Sequence, residues 1–151
     1  MSKNPFVGSW AYRSLNNDPD LSKDFDSLEF GSGTIEITAP STEKLGGTIG
    51  GSLGPPPAGN WLLNLRGSIG YGSPGQVRFQ GVGVINGEEW IYDYIGWLVP
   101  VWPNSTDLLE RQAIVGSVVR TVPHHGTNND GTMSDTIHPA GVVASFYAVR
   151  M

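Results

Sequence analysis

The chain has 151 residues, of which 38% are hydrophobic and 15% charged, a formal net charge of −5 and no cysteine. That length suits one domain, 1–151, able to bury a sizeable core, and the composition excludes an intrinsically disordered chain. The acidic balance argues against a nucleic-acid partner, and no apolar run approaches the roughly 20 residues of a membrane-spanning helix. Without cysteine there is no disulfide, thiol nucleophile or thiolate metal site. No basic stretch followed by an apolar one opens the chain, so no signal peptide is expected and the cytoplasm is the default location.

The 21 glycines and 11 prolines favour turns and short strands over helices. Alternation between the two faces of a strand gives eight candidates, the first at 6–13. There Phe6, Gly8, Trp10 and Tyr12 share one side. Asn16-Asn17-Asp18-Pro19 then reads as a helix cap followed by proline in the first turn, predicting a short helix over 19–25. Strands follow at 27–38 and 44–53, the second of these stopped by Gly54-Pro55-Pro56-Pro57. The fourth, 61–70, places Trp61, Leu63, Leu65 and Ile69 on one face, and a 72–75 turn leads into the fifth, 76–85. Asn86-Gly87 is the strongest hairpin signal, since both residues tolerate positive φ. The sixth strand is 88–98 and the seventh 111–122. A polar loop at 123–139 precedes the eighth at 140–150.

Eight strands joined mostly by short turns predict an all-β fold, an eight-stranded antiparallel up-and-down β-barrel with one short helix after strand one. A two-sheet sandwich is the competing architecture. Closure would remove the edges that a flat glycine-rich sheet exposes.

The opening Phe6-Val7-Gly8-Ser9-Trp10 resembles the N-terminal Gly-x-Trp signature of the calycins, that is, the lipocalins, fatty-acid-binding proteins and avidins. The closing strand, ending in Arg150, is similar to a calycin last strand bearing a basic residue. The resemblance implies that Gly8 and Trp10 are structural, with Arg150 or Arg120 over the indole, and that a small lid follows strand one. The middle of the chain matches in strand count alone. The helix that lipocalins carry after the barrel has no counterpart, and the biotin-site residues of avidins do not map here.

Strand six is the most informative for function. Trp90, Tyr92 and Tyr94 lie on one face, three of the ten Trp and Tyr residues, with Asp93 on the other. Pointing inward, these rings would line a pocket for a hydrophobic or aromatic small molecule, with Tyr12 from strand one beside them; pointing outward they would make a subunit interface and a homo-oligomer. Rings that merely fill the barrel are the simpler reading. An inward Asp93 would have its pKa raised by desolvation and could act as acid or base, although a solvent-facing Asp93 is the simpler expectation. Arg66 and Arg78 fall on neighbouring strands, where an inward pair would suit a carboxylate ligand and an outward pair would be solvated.

His124 and His125 are adjacent and would point apart on a strand, and His138 stands alone, so no metal site and no cofactor is expected. A haem-binding calycin would need an inward histidine, and His124 at a barrel mouth could supply one. Glu88-Glu89 reads as a solubilising hairpin tip.

Two functions are expected in competition. One is a small-molecule binding barrel. The other is a cofactor-independent enzyme, an isomerase, cyclase or lyase acting on a hydrophobic natural-product-like substrate, with Asp93, Tyr92 or His124 as the acid-base group. A structural, self-associating barrel with a filled core is a third, and fold alone does not choose among them.

Overall fold

The alternation is realised as strands nearly throughout the computed structural model, which describes residues 4–72 and 74–151. In chain order these are β1 (Gly8–Asn16), β2 (Glu29–Thr38), β3 (Lys44–Ser52), β4 (Asn60–Gly70), β5 (Gln76–Ile85), β6 (Glu88–Val99) and β7 (Ala113–Arg120), followed by β8 (His124–Thr127), β9 (Met133–His138) and β10 (Val143–Arg150). Eight of them close into an antiparallel barrel in the order β1-β10-β7-β6-β5-β4-β3-β2, and β8 pairs with β9 as a separate ribbon. Closure is completed by β10 against β1, in a register that sets Trp10 opposite Arg150 and Tyr12 opposite Ala148. The sandwich is thereby excluded. Ser73, in the expected 72–75 turn, lies outside the described residues, as do residues 1–3.

Parity decides what fills the barrel. Trp10 and Tyr12 of β1, Leu63 and Leu65 of β4, Val77 and Phe79 of β5, Tyr92 and Tyr94 of β6, and Phe146 of β10 are all buried. Asn86 has a φ of 53° and Gly87 one of 78°, the backbone that a two-residue β5–β6 turn requires.

One end is plugged. Phe6 and Trp10 are fully buried there, and the Trp10 indole Nε1–H donates to the Phe6 carbonyl at 3.0 Å. The guanidinium of Arg150 sits 4.2 Å above the Trp10 ring. From that position it donates to the carbonyls of Val7 and Pro5 and to Gln112 Oε1. Gly8 allows this approach. Its φ is +137°, and a Cβ built there would stand 2.8 Å from Arg150 Nη1. Of the two arginines expected at the indole, Arg150 is the one in place; Arg120 stands at the opposite end, beside Tyr92.

Two expectations are corrected. No helix forms over 19–25, and the helical content between β1 and β2 is a single 3-10 turn at Asp26–Leu28. Local side chains capture the backbone instead. Asp18 Oδ1 accepts from the Asp20 N–H at 2.8 Å, and Asp20 Oδ1 from the Ser22 N–H at 3.0 Å. Leu21 and Phe25 are 95% and 70% exposed, so no buried apolar face supports a helix. The 123–139 loop, in turn, contains the β8–β9 hairpin, which pairs His124 with His138 and His125 with Ile137.

Candidate functional site

At the end away from Trp10 the barrel is not filled. Tyr12 and Ser14 of β1, Phe30 of β2, Trp61 and Leu63 of β4, and Trp90, Tyr92 and Tyr94 of β6 surround a cavity of about 450 Å³. Its floor is aromatic. Tyr94 stacks on Phe79 with centroids 4.8 Å apart, and meets Tyr12 edge-on at 6.1 Å and Phe146 at 5.8 Å. Its rim is polar, where Glu29, Ser32 and Ser52 are exposed. The connections at this end are the 17–28, 53–59 and 121–142 segments and the Asn86-Gly87 turn.

Three phenols face this space. Burial pushes the Tyr12 and Tyr94 hydroxyls above the ordinary tyrosine value of 10.0. Burial also raises Tyr92, with the Arg120 guanidinium pulling the other way. All three therefore stay protonated at neutral pH and can hydrogen-bond a ligand.

The β8–β9 hairpin brings imidazoles to the mouth. His124 is buried and stacks on Trp90, with ring centroids 3.9 Å apart and planes 15° from parallel. Its Nδ1 is 2.8 Å from the His125 carbonyl, which can only accept, so Nδ1 carries the proton and Nε2 is left as an acceptor. The Tyr92 hydroxyl lies 2.6 Å from that Nε2 and must donate to it. The Tyr92 oxygen in turn accepts from Arg120 Nε at 3.2 Å. Arg120 is buried, donates Nη1 to the Pro139 carbonyl at 3.2 Å and lies 4.9 Å from the Phe30 ring centroid. Burial lowers the His124 pKa from its ordinary 6.5, and the charge of Arg120 adds to this against the raising effect of the His125 carbonyl. The imidazole is neutral at pH 7.

Glu88 anchors the hairpin. Its carboxylate accepts from the His125 N–H at 3.1 Å and meets His125 Nδ1 at 2.9 Å. The bond to His125 is the main reason the Glu88 pKa is lowered. Asn86 Nδ2 then donates to the Gly131 carbonyl at 2.9 Å, and the Gly131 backbone packs on Ala58. The hairpin thus runs from His124, along the start of β6, to the 53–59 connection. Glu88 is a strut, not a solubilising tip.

Of the residues singled out from sequence, Tyr12, Trp90, Tyr92 and Tyr94 come together at the cavity, and His124 and Arg120 join Tyr92 behind its wall. Asp93 does not. It is exposed on the outer face, where Gln80 Nε2 donates to it at 2.8 Å. Arg66 and Arg78 are also outside, because Leu65 and Val77 take the inward positions next to them. They border an outer groove of about 410 Å³ with Gln80 and Asp93, and neither reaches the barrel interior. Sequence reasoning passed over Ser14, whose inward parity was readable from Trp10, and Phe30, which stands at odd spacing from Ile35 and turns inward only through the register shift of β2 against β1 at Ser14/Leu15. It also missed the link from Glu88 to His125, which pairs residues 37 apart in the chain.

Comparison of the chain with protein-family models, curated proteins and solved structures finds no match.

Proposed function

We propose that the protein is a calycin-like barrel that binds a hydrophobic or aromatic small molecule in the cavity above Tyr94. The observation that carries this reading is a cavity of about 450 Å³, walled by aromatic rings and open at one end of an otherwise packed barrel. That volume falls within the range of about 300–1,000 Å³ usual for small-molecule sites. Stability alone gives no reason for Tyr12 and Tyr94 on these walls, since Phe or Leu would fill a core without hydroxyls that need partners. The barrel order and the Arg150 guanidinium over Trp10 support the calycin-like part of the reading.

The reading is tested by filling the cavity. Leu63 lines it, and Leu63→Trp should occupy it at little cost to the outer face. A naphthalene-based fluorescent dye should brighten with the native protein and stay dark with a Leu63→Trp variant of unchanged circular dichroism. Equal dye response from both would place binding elsewhere and defeat the proposal.

A second reading, a cofactor-independent isomerase, cyclase or lyase, is favoured by one observation: the Tyr92 hydroxyl hydrogen-bonded to a neutral His124 at 2.6 Å. Such a pair supplies the acid-base group this chemistry needs. With Asp93 on the outside of the barrel, Tyr92 and His124 are the remaining candidates.

A further inference from the structure

Among the described residues, the buried cation at the mouth has no anionic partner. The ion pairs of the described residues are Arg13–Asp26, Lys23–Asp18 and His125–Glu88; Arg120, only 7% exposed, belongs to none of them. Its hydrogen bonds go to a neutral phenol and a backbone carbonyl. A cation held away from water without a counter-charge is costly, and its field favours an oxyanion over a hydroxyl on an oxygen beside it.

The phenol it touches is arranged for the same purpose. The Tyr92 oxygen has two lone pairs, of which Arg120 occupies one, while its proton points to His124 Nε2. Tyr92 lines the cavity, and among the described residues no donor other than Arg120 takes a lone pair of its oxygen. His124 is fixed as a proton acceptor by its own bond to the His125 carbonyl.

Resting on the binding reading above, we infer that the cavity takes an aromatic ligand bearing an acidic hydroxyl, a phenol or enol, and holds it as its oxyanion. The ligand O–H bond breaks as its proton passes to the Tyr92 oxygen. The proton already on Tyr92 leaves for His124 Nε2, and the electron pair of the broken bond remains on the ligand oxygen. Tyr92 ends as it began, the imidazole becomes imidazolium, and the new negative charge lies in the field of Arg120. No metal or redox partner enters the balance. Tyr92 is the residue that touches the ligand. His124 and Arg120 are positioning residues that act through it.

The test uses 4-nitrophenol, coloured only as the phenolate, at a pH where it is mostly undissociated in water, beside 4-nitroanisole, which has no hydroxyl. Quenching of tryptophan fluorescence reports binding of either probe whatever its charge. With the native protein the phenolate band should appear in step with quenching, the bound probe ionising at least tenfold more readily than the free one. No proton should be released to the medium, since His124 keeps it. Tyr92→Phe should lose the band at 4-nitrophenol concentrations that still quench its tryptophan fluorescence. His124→Gln should bind 4-nitrophenol with the band lost, or with one proton released for each phenolate formed. Binding of neutral 4-nitrophenol by the native protein overturns this inference while leaving the cavity reading standing. A phenolate band unchanged by Tyr92→Phe, or a full proton released by the native protein, also overturns it. If neither probe quenches, the cavity reading itself fails.

Discussion

Gly8, Trp10 and Arg150 act as a unit at the plugged end, because each is needed for the other two to meet. The indole is fully buried, its N–H is taken by Phe6, and its face carries a guanidinium. Truncation would leave a cavity and strip the cation of its ring. Trp10→Ala should therefore cost about 3–5 kcal/mol in chemical denaturation, and a loss below about 1 kcal/mol would show that the plug does not hold the barrel. Gly8 and Trp10 were legible in the sequence because a strand's two-residue period and one glycine fix that geometry locally. Which arginine covers the indole was not, since Arg120 and Arg150 lie near opposite ends of two neighbouring strands. The partner of Trp10 follows from the β1–β10 register, which only barrel closure sets.

The elements divide by how local their determinants are. Strands β3 to β6 begin and end within a residue of where alternation and turn residues put them, because Gly, Pro and Asn-Gly punctuate them directly. The 19–25 helix failed for the converse reason. A cap and a proline signal a helix start, yet without a buried face the Asp18 and Asp20 side chains win the backbone donors. The β8–β9 hairpin was hidden by its polarity, as it is held by Glu88 and Trp90 of another strand rather than by an apolar face of its own.

That anchoring makes the hairpin acid-sensitive. His124 and His138 have pKa values lowered from 6.5, mainly by burial, with the charge of Arg120 contributing to both. As pH falls through 6.5 the unfolded chain takes up protons that the folded chain resists, so stability falls with pH until the folded values are passed. Glu88 is also lowered, from 4.5, chiefly by His125, so its contribution is present above 4.5 and is lost as the pH drops through its folded value. Melting temperature should therefore decline between about pH 7 and pH 5, and decline again below that. His124→Gln should make the first decline shallower, with the His138 share remaining, and leave the second. A first decline of the same steepness in the variant would detach it from His124.

At the scale of the whole molecule, one half of the barrel is a core and the other half is a vessel. Trp10, Phe6, Leu45, Ile69 and Val77 pack the plugged half, and the Tyr94–Phe79 stack marks where packing stops and the cavity begins. The eight-stranded closed topology was readable because strand count and turn spacing are properties of the chain itself. The inward direction of Trp90, Tyr92 and Tyr94 was not, because the same alternation serves either face until neighbouring strands decide it. Once Leu65, Val77 and Phe79 are committed to the core, Arg66, Arg78 and Asp93 are fixed on the outside, and the aromatic row falls within. The most direct test of the central claim, that this inner space is a ligand site, is a two-dimensional NMR titration with 2-naphthol. Saturable shifts should centre on Tyr12, Ser14, Phe30 and the indoles of Trp61 and Trp90, with Arg66 and Arg78 unmoved; no saturable shift, or one centred on the outer groove, would contradict it.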